Sequence, residues 1–155
     1  MDYKIKIRYA VPEDVHIIHQ LIKELAEFEK LLDQVKTSKQ DLQKVLFGEK
    51  SFVEIFIAEF DNITAGYALF FPNFSTFIGK PGIYLEDLFV KPEYRGKGIG
   101  KALLEAVISL AKERNCGRVE WSVLNWNKSA IDFYNARGAH QLEDWQIFRL
   151  TEDKF

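Results

Sequence analysis

The chain reads as a single α+β domain, residues 1–155, in which a mixed and mostly antiparallel sheet is flanked by helices. Three observations predict it. The elements follow the order β-α-α-β-β-β-α-β-α-β, two aromatic and β-branched runs meet across Asp61-Asn62 as an antiparallel hairpin, and an apolar run from Ile83 to Val90 leads through a basic glycine turn into an amphipathic helix.

Taken in order, residues Tyr3 to Tyr9 alternate like a strand. Pro12 with Glu13 and Asp14 opens a helix whose apolar positions Val15, Ile18, Ile22, Leu25 and Ala26 keep helical spacing and which ends near Leu32. Thr37-Ser38-Lys39-Gln40 reads as a capping box for a second helix running through Leu46 and stopped by Gly48. Phe52 to Phe60 and Gly66 to Phe71 form the hairpin, and Ile83 to Val90 is the third strand of that sheet. The helix from Ile99 carries apolar residues at Leu103, Val107, Leu110 and Ala111. After Cys116 and Gly117, Arg118 to Leu124 reads as a strand, Asn127 to Arg137 as a helix ended by Gly138, and Gln146 to Leu150 as a last strand. No repeat or linker interrupts this order.

Composition bounds the function. With 155 residues, the chain is large enough to bury about 70% of the surface its unfolded form exposes. Its 47% hydrophobic, 28% charged and 14% aromatic content is that of a globular domain, with 13 phenylalanines as the unusual feature. A net charge of -2 supplies no general attraction to nucleic acid or an anionic membrane, so neither is an expected partner. Met1 to Ala10 has no apolar core of a secretory signal, no stretch approaches the ~20 apolar residues of a membrane span, and the single cysteine, Cys116, suits a reducing compartment; the expected location is cytoplasmic. Cys116 itself reads as a small packed hydrophobe rather than a nucleophile, because no activating base is identified beside it.

The glycine turn, Arg95-Gly96-Lys97-Gly98-Ile99-Gly100-Lys101, sits between a strand and a helix. Amides in the first helical turn have no intrahelical acceptor and, with the helix dipole, attract phosphate oxygens. Glycines let the backbone approach the anion, while Arg95, Lys97 and Lys101 add positive charge. The spacing fits neither a Walker loop nor the dinucleotide fingerprint, since Lys101 falls where each requires glycine. Two readings stay open on the residues alone: a phosphate-bearing ligand, or a glycine-rich surface turn.

Upstream, Glu86 and Asp87 interrupt an apolar strand, and strand alternation sends them to opposite faces. An ionised carboxylate is costly in a dry interior, so one of them is expected to face a wet cleft with its pKa pushed upward, where it serves as a base; paired structural ions are the other reading. In the helix from Asn127, the residues Asn127, Ala130, Ile131 and Tyr134 share one stripe. Tyr134 is then either a core aromatic or a general acid, its reference pKa near ~10 being close enough to a thiol's ~8.5 to protonate a departing thiolate. His16 and His19, three apart, read as surface histidines, since no third metal ligand is placed beside them and no metal is expected. Trp121 and Trp126 read as packing, without the basic stripe of a nucleic-acid platform.

Arg95-x-x-Gly98-x-Gly100 after a strand resembles the coenzyme A pyrophosphate loop of the GNAT N-acetyltransferase superfamily. Together with Leu85-Glu86-Asp87-Leu88-Phe89-Val90, Trp126-Asn127, Phe133-Tyr134-x-x-x-Gly138-Ala139 and Lys23 to Glu29, nearly the whole chain resembles that superfamily's spermidine/spermine (diamine) branch, and Glu24 to Lys36 is closer to its thialysine-acetylating members. The resemblance implies the GNAT acetyltransferase fold, acetyl-CoA as co-substrate, a small amine as acceptor and a homodimer. It implies that Leu88, Phe89 and Val90 line the acetyl and pantetheine part, with backbone groups offered by Leu88 and Val90, and that Arg95, Gly96, Lys97, Gly98, Ile99, Gly100 and Lys101 hold the pyrophosphate. Asn127, Lys128, Ser129, Ala130 and Tyr134 would complete the coenzyme site. Tyr134 matches the family's acid, Glu86 its water-mediated base, and Phe28, Glu29, Glu86 and Asp87 the residues around the amine.

The chemistry of the residues agrees. An alkyl ammonium with a pKa near ~10.4 must lose a proton before it can attack a thioester, and carboxylates both attract the cation and relay its proton. Three departures from the polyamine enzymes, namely a shorter stretch between Ala139 and Trp145, Phe77 in place of Trp, and a chain stopping at Phe155, bear on the acceptor. The competing expectations are an acyl-CoA-binding sensor without turnover and an enzyme whose acceptor is a protein N-terminus or an antibiotic.

Overall fold

A computed structural model describes residues 4–155, so Tyr3, the first residue of the expected opening strand, lies outside the described residues. The chain forms two compact units, residues 1–122 and 123–155.

Among the described residues, the first unit is a five-stranded sheet with three α-helices. Its strands β1 (Ile5–Tyr9), β2 (Glu54–Phe60), β3 (Ile63–Ser75), β4 (Lys80–Val90) and β5 (Val119–Glu120) lie side by side in chain order. The first four are antiparallel and β5 joins β4 parallel, which is the mixed, mostly antiparallel sheet expected. The β2–β3 hairpin turns on Asp61 and Asn62 at φ 50° and 67°, the left-handed pair that a two-residue turn needs to match strand twist. The helices are α1 (Val15–Phe28), α2 (Lys39–Phe47) and α3 (Ile99–Glu113).

Strand alternation divides the core into two faces. On one, Val15, Ile18 and Leu21 of α1 and Leu42 and Leu46 of α2 pack with Ile55, Ile57, Tyr67 and Phe89 of the sheet. Intervening strand residues such as Phe56, Ala58, Ala68 and Phe70 are buried on the opposite face. There α3, which packs on β1 to β4, buries Ile99, Leu103, Leu104, Val107 and Ala111. The start of α1 is fixed by Asp14, which takes bonds from the Val11 amide (2.8 Å) and from both terminal nitrogens of Arg8 (2.7 and 3.0 Å). That guanidinium holds the Asp14 carboxyl below its usual pKa.

Several boundaries differ from expectation. Helix α1 ends at Phe28, four residues short of Leu32. The cap of α2 is Ser38, whose hydroxyl accepts from the Asp41 amide while Asp41 accepts from the Ser38 amide, so the capping box runs one residue later than Thr37–Gln40. Of the strand expected over Arg118–Leu124 only Val119 and Glu120 pair. His16 and His19 are used structurally: His19 Nε2 lies 3.0 Å from the Thr37 carbonyl, and His16 Nδ1 lies 2.8 Å from Lys39 Nζ.

The second unit contains α4 (Lys128–Arg137), capped at its start by Asn127 and closed by Gly138 at φ 100°. The strand expected over Gln146–Leu150 does not form; that segment is irregular, with Ile147, Phe148 and Leu150 exposed at 80, 89 and 67%. A short apolar run becomes a strand only when an edge pairs with it, and no strand of the described residues pairs here. Among the described residues no helix is long and apolar enough to cross a membrane.

Candidate active site

Strand β4 carries the acidic group, and its register is broken there. Asp87 stands opposite Leu69 and Leu85 opposite Phe70, so Glu86 has no partner on β3. It is a β-bulge, an extra residue that re-aims the chain locally. The expected alternation of Glu86 and Asp87 therefore does not hold in its simple form. Leu85 follows Phe70 onto the buried face beneath α3, Asp87 follows Leu69 onto the face of α1 and α2, and Glu86 is left exposed between them.

The upward pKa shift expected for one of the pair falls on Asp87. Burial, the strongest influence, together with the nearby negative charges of Glu86 and Glu29, raises its carboxyl to about 6, while a bond from Tyr67 works against that rise. Tyr67 Oη donates to Asp87 Oδ2 at 2.8 Å. Glu29, the residue that closes α1, is raised by burial as well. Glu29, Glu86 and Asp87 thus lie close enough to act on one another's charge, although α1 and β4 are far apart in sequence, and Phe28 precedes Glu29 at the end of α1. Phe28 is in contact with the glycine turn too: the Arg95 guanidinium lies 4.5 Å from the centroid of its ring and 5.8 Å from that of Phe89.

Beyond the bulge, β4 keeps a regular register with β3 from Asp87 to Val90. The Lys91 amide donates to the Ala65 carbonyl on β3 at 2.8 Å, so by alternation the main-chain groups of Val90 and Leu88 point the other way. On that side β5 pairs only with Ile83 and Tyr84. Leu88 and Val90 therefore present backbone donors and acceptors along an edge that β5 leaves uncovered, with Arg95 Nε donating to the Val90 carbonyl at 3.0 Å.

The turn then enters α3 with Gly96 at φ 74° and Gly98 at φ 82°. A Cβ at either glycine would meet nothing within 4 Å, so it is backbone conformation, rather than space, that requires glycine at both. Gly98 is the N-cap and supplies no side-chain acceptor. The first amide to bond back along the helix is that of Ala102, to the Gly98 carbonyl at 3.0 Å, so the amides of Ile99, Gly100 and Lys101 precede the ladder. Gly96, Lys97, Gly98 and Lys101 are exposed around them, and Lys97 Nζ lies 5.5 Å from the Phe60 ring centroid. Such a set of amides with cations around it is chemically suited to a diphosphate.

In the second unit, the Asn127 side chain accepts from the Ala130 amide at 3.3 Å, and Lys128 pairs with Asp132 one turn on at 3.2 Å. Ser129 is exposed, while Asn127, Ala130, Ile131 and Tyr134 are half-buried along one stripe. Tyr134 packs against Phe133 with ring centroids 5.4 Å apart.

Two features escaped the sequence. The bulge leaves no local signature, because nothing in Leu85-Glu86-Asp87 breaks a strand. Tyr67 reads as one more aromatic of the hairpin until the register sets it opposite Phe89, diagonal to Asp87; aligning the two predicted strands would have been the available signal.

Comparison with known proteins agrees with this architecture. The model of the acetyltransferase (GNAT) family matches residues 17–139. Thialysine N-epsilon-acetyltransferase of Bos taurus is 42% identical over 157 residues, covering 94% of this chain and 92% of that protein. L-ornithine N5-acetyltransferase NATA1 of Arabidopsis thaliana is 34% identical, covering 96% and 85%. Among solved structures, the aminoglycoside N-acetyltransferase AAC(6')-Iy in complex with CoA superposes with a TM-score of 0.73 over 98% of this chain and 97% of that one, and at 20% identity it speaks for the fold alone. The chain belongs to the GNAT family of N-acetyltransferases, enzymes whose co-substrate is acetyl-CoA.

Proposed function

We propose that this enzyme acetylates a primary amine of a small cationic acceptor, a lysine-like compound, diamine or polyamine, and that the whole chain acts as one catalytic domain. One observation carries the reading: a largely buried carboxylate, Asp87, grouped with Glu29 and Glu86, lies on the strand that leads through the glycine turn to a run of first-turn amides and lysines. One end of this stretch suits a cation and the other an anion. The thialysine and ornithine acetyltransferases among its relatives take acceptors of this chemical class by name.

Acetyl-CoA supplies the acetyl thioester. In this reading Gly96 to Lys101 and Arg95 hold its diphosphate, Leu88, Phe89 and Val90 line the path of its arm, and Asn127, Lys128, Ser129 and Ala130 hold its distal part. Glu29, Asp87 and the Phe28 ring receive the acceptor's cationic nitrogens. Glu86, exposed at the bulge, takes a proton from the reacting ammonium through water, which frees the lone pair for direct attack on the acetyl carbon. Tyr134 gives its hydroxyl proton to the departing sulfur, and the second proton, shed by the attacking nitrogen as the amide forms, restores the phenol. No residue of the chain is acylated along this route.

We further propose a cytoplasmic homodimer that binds neither nucleic acid nor membrane. The exposed apolar side chains of Trp145, Ile147 and Phe148 are surface of the kind a second copy covers.

Acetyl-CoA consumption measured with thialysine, lysine, ornithine, putrescine, spermidine and spermine tests the reading. Turnover with at least one of them is expected, with lysine-like acceptors ahead of spermidine. Coenzyme binding without turnover of any would instead make the protein a sensor, and turnover confined to aminoglycosides or peptide N-termini would move the acceptor to those classes.

A further inference from the structure

Asp87 has an unusual set of neighbours for a largely buried carboxylate. The groups that set its proton affinity are Glu29 at the end of α1, Glu86 on β4 and the hydroxyl of Tyr67 on β3, and no lysine or arginine of the described residues is among them. Lys91 and Arg95, the first two cations after it in the chain, are engaged elsewhere. Arg95 lies over Phe28 and donates to the Val90 carbonyl, and Lys91 Nζ is 3.9 Å from Glu24. A buried carboxylate among other carboxylates, without a protein cation, is destabilising unless something outside the chain or a strong donor compensates.

The donor is Tyr67. Its side chain is fully buried, and its hydroxyl lies 2.8 Å from Asp87 Oδ2. Burial and the Asp87 charge push the tyrosine's own pKa well above its usual value, so the hydroxyl keeps its proton and acts toward Asp87 as a donor. A hydrogen bond donated to a carboxylate favours the ionised form. Phenylalanine would fill the same core position among Ile55, Ile57 and Phe89 equally well, and so the hydroxyl calls for an explanation beyond packing.

We propose that Tyr67 is a positioning residue of the acceptor site, whose hydroxyl orients the Asp87 carboxylate and keeps it anionic so that it can receive the acceptor's ammonium. The inference rests on the amine-acceptor reading above and deepens it. Acceptor affinity then follows the ionisation of Asp87: it is low where that carboxyl is protonated and rises as pH climbs through its titration near 6. Losing the Tyr67 donor moves this titration to higher pH.

The experiment is steady-state kinetics of Tyr67→Phe across pH, with a 13C NMR titration of the Asp87 carboxyl in the wild-type and variant proteins. Expected are an acceptor KM about tenfold higher at pH 7, as for loss of a hydrogen bond to a charged group, a loss that shrinks as pH rises, an unmoved acetyl-CoA KM, and a higher carboxyl midpoint by NMR. On an Asp87→Asn background the Tyr67 change should have no further effect on acceptor KM. A KM loss independent of pH, a parallel rise in acetyl-CoA KM, or an unmoved midpoint would overturn the proposal. Should Tyr67→Phe not fold, Asp87→Asn alone decides, because an acid limb that survives it removes Asp87 as the titrating group. If the wild-type enzyme turns over no amine, the acceptor reading fails, and the NMR midpoint still tells whether Tyr67 governs Asp87.

Discussion

The acidic group around Asp87, which Glu29 joins from the end of α1, and the glycine turn before α3 are built on opposite principles. The acidic group is made of side chains and burial: Asp87 is driven up to about 6, Glu29 is raised, and both shifts come chiefly from lost solvent. The turn is made of backbone, with two exposed left-handed glycines and three amides ahead of the helical ladder. A site made by desolvation is sensitive to charge and pH. A site made by main-chain geometry is sensitive to any Cβ that disturbs its dihedrals, and only weakly to pH.

The largest expected effect lies at the chemical step. Glu86→Gln should lower kcat about 10²- to 10⁴-fold, the span general acid–base groups contribute, with acetyl-CoA affinity preserved; Tyr134→Phe should do likewise, and unchanged turnover in either would remove that residue from its role. Next comes a stability effect confined to the acidic region. Between pH 4 and 6 the folded chain holds a proton on Asp87 that the unfolded chain has released, so this carboxyl lowers stability as pH rises and its full penalty applies above 6. Asp87→Asn should therefore stabilise the fold at pH 7 by about 1–3 kcal/mol while weakening acceptor binding, with the gain gone by pH 4; urea melts at the two pH values check it. Equal stabilisation at both would break the contrast between the regions.

Smaller is Gly98→Ala. It forces an L side chain into φ 82° at a cost of about 1–2 kcal/mol, and should raise the acetyl-CoA KM about tenfold without moving the acid limb of the acceptor profile. Smallest is Lys101→Ala, an exposed charge whose loss should raise the acetyl-CoA KM only about two- to threefold, the difference fading as salt is added. A Lys101 effect exceeding that of Gly98 would mean that the turn holds its anion by charge rather than by backbone.

The same contrast explains what could be read from the sequence. The hairpin at Asp61-Asn62, the glycine turn and α3 were legible because each is a local pattern: a left-handed pair between alternating runs, glycines between a strand and a helix, apolar spacing of three and four. The sequence also pointed to Phe28, Glu29, Glu86 and Asp87 through family likeness, and the fold brings the three carboxylates within reach of one another's charge. The bulge at Glu86 and the Tyr67–Asp87 bond were hidden because they depend on register between strands about twenty residues apart, where a single extra residue decides which face a side chain meets. Gln146–Leu150 failed for the converse reason. Its composition suits a strand, but pairing requires an available edge, which composition cannot reveal.

Arg95 belongs to both regions, its Nε on the Val90 carbonyl and its plane over the Phe28 ring. A guanidinium displaced by a ligand in the turn would lose its place over the ring beside Glu29, and any such coupling acts equally in both directions. In the proposed reading, Arg95→Ala should make the binding of acetyl-CoA and of the acceptor independent of each other, and a coupling that survives it, measured by titrating each in the presence of the other, would remove Arg95 as the link.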